Sequence, residues 1–240
     1  TPRVMTKRGV MLGNEARFKY DAFNAQVNLD YLPSDRTTKE NRWSTRIQAD
    51  YQRDKLGANI DYNRVSDDDF ITDFSGNIRE SSVLPQDYSL TWTDTYWNSL
   101  LRVTKNQTLK IDGGTTVVPY ERVPQMVLNA YNSDFHGFEF TTTVDATRFT
   151  HPTRLDGTRV VLEQSASYPL RGAGWFIVPK AQIQGAWYQL NNLSRDHQYT
   201  DKSPSFVVPT FTLDSGLVFE RDSHFFGREA YQTLEPRIYY

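Results

Sequence analysis

Residues able to do chemistry are present, but not at the spacings that chemistry requires. The four histidines, His136, His151, His197 and His224, lie far apart, and none stands in the H-x-x-H or H-E-x-x-H spacing of a zinc site. Cysteine is absent, which removes thiol catalysis, cysteine zinc sites and disulfides within these residues. There is no G-x-S-x-G elbow for a nucleophilic serine. Gly172-Ala173-Gly174 lacks the third glycine and the following helix of a dinucleotide fingerprint, so it reads as a plain turn. Asp67-Asp68-Asp69 is the densest acidic run. It has the charge to bind Ca²⁺, or to bridge through Ca²⁺ to anionic sugars, but not the alternating ligands and terminal Glu of an EF-hand loop. A solvated loop is the plainer reading. Asn106-Gln107-Thr108 and Asn192-Leu193-Ser194 match a glycosylation sequon, a pattern short enough to arise by chance. Asp30, Asp50, Asp61 and Glu163 are too alike in setting to nominate a carboxylate pair for glycoside hydrolysis. The expectation is a protein that is not an enzyme and uses no cofactor or metal.

The elements that carry these residues repeat with period two. In Ala25-Gln26-Val27-Asn28-Leu29-Asp30-Tyr31 every odd residue is apolar and every even one polar. The same alternation runs through Thr45–Tyr51, Ala58–Tyr62, Tyr88–Trp92 and Phe138–Ala146. Successive side chains of a strand point to opposite faces, so each segment has one apolar and one polar face. About twelve strands are expected, at 9–21, 24–32, 42–52, 57–65, 86–94, 96–105, 122–131, 137–149, 158–168, 175–190, 206–220 and 231–240. Short turns near 21–23, 53–56 and 94–95 alternate with long loops at 33–41, 66–86, 106–121 and 191–205. Such alternation is expected of an all-β, antiparallel, up-and-down transmembrane β-barrel. Only the last connection, near 222–230, is longer than this pattern asks. Pro124, Pro179, Pro209 and Pro236 fall inside or beside strand-like runs and call for an edge, a bulge or a strand end.

Composition narrows the choice without closing it. Lys and Arg number 27 and Asp and Glu 29, a net charge of −2 that argues against a nucleic-acid partner. Hydrophobic residues are 38% of the chain and the mean hydropathy is −0.63. The longest strictly apolar run, Trp175-Phe176-Ile177-Val178, is far short of a spanning helix. Aromatic residues reach 14%, a surplus that suits β-sheet and membrane interfaces alike. A soluble β-sandwich, with the apolar face turned inward, shares the alternation. Strands of about ten residues, with tyrosines flanking many apolar faces, favour the barrel. No composition break divides the chain, so residues 1–240 are expected to form one domain or part of one.

Several segments together carry a resemblance. They are Tyr31-Leu32-Pro33-Ser34-Asp35-Arg36, Asp61-Tyr62-Asn63-Arg64-Val65-Ser66-Asp67-Asp68 with Asp69-Phe70 and Asp73-Phe74, and Pro119-Tyr120-Glu121-Arg122-Val123-Pro124-Gln125. Leu213-Asp214-Ser215-Gly216-Leu217-Val218-Phe219-Glu220-Arg221 and Gln232-Thr233-Leu234-Glu235-Pro236-Arg237-Ile238-Tyr239-Tyr240 complete the set. In this order they resemble the barrel domain of the LptD family of lipopolysaccharide-assembly proteins of Gram-negative outer membranes. The resemblance implies a large outer-membrane barrel with a plug lipoprotein, LptE, inside it. Such a barrel receives lipopolysaccharide from a periplasmic Lpt bridge and releases it sideways into the outer leaflet. The family's periplasmic jellyroll domain and its cysteines have no counterpart here, so the chain is expected to be roughly the N-terminal half of the barrel. A half-barrel alone leaves two unpaired edges, and no stable independent barrel is expected of it.

Side-chain placement follows from strand parity in the barrel reading. Phe18, Tyr20, Leu29, Tyr31, Ile47 and Tyr51 are expected to face outer-membrane lipid. Arg17, Lys19, Gln26, Asp30, Arg46, Asp50, Asp61, Glu235 and Arg237 are expected to face the lumen, where lipopolysaccharide headgroups and a plug would meet them. The runner-up readings are a complete small outer-membrane barrel acting as porin or enzyme, and a soluble carbohydrate-binding sandwich.

Overall fold

A computed structural model describes residues 1–75, 82–110, 116–195 and 200–240. The strands are β1 (Pro2–Met5), β2 (Gly9–Lys19), β3 (Phe23–Leu32), β4 (Arg42–Arg53) and β5 (Leu56–Val65). A short helix α1 (Phe70–Ser75) precedes β6 (Val83–Thr93), β7 (Trp97–Thr108), β8 (Glu121–Phe135), β9 (Phe138–Thr150) and β10 (Asp156–Ser167). Then come β11 (Leu170–Gly172), β12 (Trp175–Asn191), β13 (Ser205–Leu217), β14 (Phe219–Phe225), β15 (Arg228–Leu234) and β16 (Arg237–Tyr239). One antiparallel sheet runs in the order β1 to β10, then β12, β13 and β16, with β11 beside β12. Among the described residues β1 and β13/β16 form its two ends and do not pair with each other. The fold is thus all-β and up-and-down, as the alternation predicts, and open.

Register keeps the two faces separate across the sheet. One row of partners reads Phe18, Ala25, Ala49, Ile60, Tyr88 and Val103 from β2 to β7. The row beside it reads Arg17, Gln26, Gln48, Asp61, Asp87 and Thr104. Beyond β7 an apolar row continues as Leu101, Met126, Ala146, Val160 and Trp187. A one-residue slip would exchange the faces, so every hairpin must hold its register. The turns at the short end do this. His136-Gly137 and Phe226-Gly227 have positive φ at both central residues, the backbone that matches strand twist in a two-residue hairpin.

The prolines sit where the ladder breaks. Pro124 lies in a register shift of β8 against both neighbours. Pro179 lies where β12 changes partner from β10, ending at Lys180, to β11, beginning at Ile177. Pro209 is on β13 beyond the three residues that pair with β16, and Pro236 separates β15 from β16.

Three expectations need correction. The strand expected at 231–240 is two elements, and β14 with β15 forms a separate hairpin off the main sheet. The loop after β5 contains α1. β1 and β11, three or four residues each, were too short to show any period. Among the described residues the hydrophobic core is one cluster: Met11, Leu32, Val65, Phe70, Phe74, Leu84 and Leu109. It lies at the long-loop end of β2–β7, not along the strands.

Candidate functional site

That cluster surrounds a knot of charge. Arg42, the first residue of β4, is 1% exposed. Its Nε and Nη2 donate to the two oxygens of Asp67 at 2.9 and 2.6 Å, the fork-to-fork geometry that only arginine provides. Its Nη1 donates to Asp73 at 2.6 Å and to Asp35 at 3.2 Å. Arg8, in the β1–β2 turn, donates to the same Asp35 at 2.8 Å and pairs with Asp73 at 2.7 Å. Three carboxylates from two loops therefore share two guanidinium groups, and every bond but Arg42–Asp35 ties one connection to another.

Local sequence explains how the third connection folds into place. Asp67 accepts the Asp69 N–H at 3.1 Å and the Ser66 hydroxyl at 2.6 Å, turning the chain before α1. Phe70 and Phe74, four apart on the helix, fall on one side with ring centroids 4.8 Å apart. The Arg42 guanidinium carbon lies 4.7 Å from the Phe74 ring centre, and that of Arg8 5.3 Å. Arg3 donates to the Phe74 carbonyl at 2.8 Å.

The charge state follows from this packing. Burial alone would raise the Asp35 pKa, but hydrogen bonds from the Thr37 N–H, Arg8 and Arg42 outweigh it and hold it at about 2. Burial also opposes ionisation of Asp67, and the Arg42 fork with the Ser66 hydroxyl overcomes it to lower that pKa. Asp67 is thus a ligand of arginine rather than the free loop carboxylate that its sequence suggests. Among the described residues no group of His, Cys, Asp and Glu is placed to hold a metal ion.

The polar face below the knot bears most of the residues expected on it. Arg17 pairs with Glu15, which also accepts from Gln26 at 3.1 Å. Asp30 accepts from Ser44 at 2.9 Å and Asp50 from Asn59 at 2.6 Å. Lys19 is opposite Asn24, Arg46 opposite Asn28 and Asn63, and Asp61 opposite Gln48 and Asp87. Arg237 pairs with Asp214 at the far end of the sheet, while Glu235 lies in the link between β15 and β16, off both strands. These residues share a face but not a single site. A cleft of about 910 Å³ opens between them and α1, reaching Arg3, Glu15, Asp30, Arg46, Phe70 and Phe74.

The opposite face is bare. Phe18 is 47%, Tyr20 72%, Leu29 40% and Tyr31 38% exposed, and Ile47 and Tyr51 are partly exposed. No described element packs on it. Of the histidines, His151 is buried beneath the second half of the loop end, His136 occupies a turn, His224 is on β14, and His197 lies outside the described residues. The knot itself escaped prediction. Asp35, Asp67, Asp73, Phe70 and Phe74 all fall within segments quoted for the family resemblance, which was the available signal, but Arg8 and Arg42 carried none.

The comparisons with known proteins agree with this architecture. The family model for LPS transport system D (LptD) matches residues 38–240. Curated relatives named LPS-assembly protein LptD include those of Ralstonia nicotianae and Cupriavidus necator, each 36% identical over all of this chain. That of Bordetella parapertussis is 35% identical, again over all of the chain. The chain spans 30–32% of the length of these relatives. With an uncovered apolar face opposite a polar one, and with the family match over residues 38–240, the chain belongs to the LptD family.

Proposed function

We propose that the chain forms part of the wall of an outer-membrane barrel that delivers lipopolysaccharide to the outer leaflet. The observation that carries this reading is the bare apolar face. A soluble sandwich would pack that face against a second sheet, and an exposed apolar surface this extensive is unstable in water. Lipid satisfies it directly. Along β3, Phe23 to Tyr31 marks an outward stretch of ~27 Å at about 3.4 Å per residue. Tilted by ~40°, it covers about 21 Å of the ~25 Å apolar band of such barrels.

The polar face then lines the lumen, and the residues named above as lumen-facing meet water, sugar and phosphate. Mixed charges, interleaved with Asn, Gln and Ser partners, suit a polar passage or contacts to a plug lipoprotein such as LptE better than an ion-selective filter. Lipopolysaccharide has a hydrophilic headgroup and apolar acyl chains. A polar interior accommodates the first and the bilayer the second, so sideways release into lipid separates them without dragging acyl chains through water. The long loops, with the knot among them, close the outer end, and the short turns face the periplasm and the Lpt bridge.

The test is a photoreactive side chain at Asn28, on the polar face of β3, in the membrane-assembled protein with transport running. Capture of lipopolysaccharide is expected. Capture at Val27, one residue away, but not at Asn28 contradicts a lumenal route along this wall.

A further inference from the structure

We propose that a second loop-end cleft, over β9, β10 and β12, binds the phosphorylated saccharide of lipopolysaccharide; this deepens the function above and rests on it for the identity of the lipid. The cleft measures about 760 Å³, within the size range of small-ligand sites. Arg154, Arg159 and Arg195 line it together with the rings of Tyr120, Phe149 and Tyr188. Asp156 is its one acidic lining residue, so the lining carries an excess of positive charge.

The fold assembles these groups from three strands and three connections. Arg159 and Tyr188 are cross-strand partners of β10 and β12 on the polar face. Phe149 is near the end of β9, and the Arg159 guanidinium carbon lies 5.2 Å from its ring centre. Tyr120, from the β7–β8 loop, meets Phe149 edge to face at 6.3 Å. His151 fixes the rim. Its Nδ1 accepts the N–H groups of Thr153 and Arg154 at 3.1 and 2.8 Å, which leaves Nε2–H to donate to the Val118 carbonyl at 3.1 Å. Arg195 donates to the carbonyls of His151 and Arg154 at 3.1 and 3.2 Å, clamping the β12–β13 connection to the β9–β10 loop.

Within this rim two arginines keep unused hydrogen-bond donors. The nearest carboxylate to Arg159 is Asp145 at 3.8 Å, beyond hydrogen-bond reach. Its Nε is buried and has no acceptor among the described residues. A buried donor without an acceptor is unfavourable, and the Arg159 side chain, 35% exposed, has room to turn that donor toward a ligand oxygen in the cleft. The Arg154 side chain has no partner among the described residues. Guanidinium forks match phosphate oxygens, and aromatic faces, electron-rich at their centres, pack against the C–H groups of a sugar ring. A phosphorylated saccharide presents both chemistries at once. The first cleft, beneath α1, is lined by Glu15 and Asp30 as well as Arg3 and Arg46, so its side chains carry no excess of positive charge.

The test uses the membrane-assembled protein with a photoreactive residue at Phe206, which lines the cleft, and a second protein carrying it at Asn28. Capture of lipopolysaccharide at Phe206 is expected, with weaker capture of its dephosphorylated form. Arg159→Gln and Arg154→Gln are each expected to lower capture at Phe206 by roughly tenfold, the loss of one charge-assisted contact, and to leave Asn28 unchanged. Heat-modifiable gel mobility shows whether each variant is folded, and Arg159→Lys, which keeps charge without the fork, is expected to recover only part of the loss. Capture at Asn28 but not at Phe206 overturns the cleft and leaves the transport reading standing; capture at neither overturns both. Protection of Phe206 by inorganic pyrophosphate without any capture of lipopolysaccharide there assigns a free-phosphate site and overturns the saccharide.

Discussion

The loop end of β2–β7 and the middle of the same strands are held together by different physics. At the loop end Arg42 is almost wholly buried among three carboxylates, and seven apolar side chains pack around it. That region is organised like the interior of a water-soluble protein. Midway along the strands there is no interior. Val27, Ile47 and Tyr62 meet side by side on one face, with no described element above them. The knot needs only itself to be satisfied. The wall is not satisfied in this way: no described element buries its apolar residues, and in the proposed reading lipid does. Strand pairing gives the wall its shape and the knot gives its outer rim a fixed one.

Substitutions should separate the two regions. The largest effect is expected for Arg42→Ala. Removing one partner from a buried ion network leaves uncompensated charge and costs ~3–5 kcal/mol. Protease cleavage in the connection between β5 and β6 should become rapid while the sheet persists. Unchanged cleavage would mean that the knot does not hold the loops. Ile47→Arg attacks the wall instead. It should cost roughly 2–4 kcal/mol in urea unfolding from lipid vesicles if Ile47 lies near the midplane, with the loop connection still protected. A negligible cost would remove Ile47 from the lipid face.

Acid offers a reversible way to loosen only the knot. A carboxyl with a depressed folded pKa stabilises the fold above its unfolded value and loses that contribution as pH falls through the folded one. For Asp35 the window runs from the ordinary 3.8 down to about 2, and Asp67 shifts in the same direction. Exchange protection of the Thr37 amide, which donates to Asp35 at 2.8 Å, should hold at pH 5 and fade across that window. Asp35→Asn should abolish the pH dependence; its survival in that variant would assign the effect elsewhere. The smallest effect is expected at Arg46→Ser, on the exposed polar face, within ~0.5 kcal/mol. Damage there equal to that of Ile47→Arg would indicate a face packed against protein.

Much of the wall was legible in the sequence because its rule is local. Ala25–Tyr31 states its own period, and β3 and β4 end within a residue of where the pattern places them. The last strand was not legible. Gln232–Tyr240 alternates acceptably as one strand, and only pairing shows that Tyr231 belongs opposite Asp222 while Ile238 belongs opposite Ser215. The knot was hidden for the same reason. Asp67 sits in an acidic run that looks solvated, and its partner Arg42 is on another strand. Nothing near Arg8 reveals that it reaches both Asp35 and Asp73. Contacts between separate loops leave no periodic trace, whereas family likeness preserved their acidic and aromatic halves.

The central claim is that adjacent residues of β4 face lipid and lumen in turn. Because the 240 residues contain no cysteine, Ile47→Cys and Gln48→Cys can each be labelled singly within this segment of the membrane-assembled protein. A label at Ile47 should be quenched by lipid-dissolved quencher and shielded from an aqueous one, and a label at Gln48 should behave in the opposite way. Equal quenching at both positions, or the reverse assignment, would contradict the account.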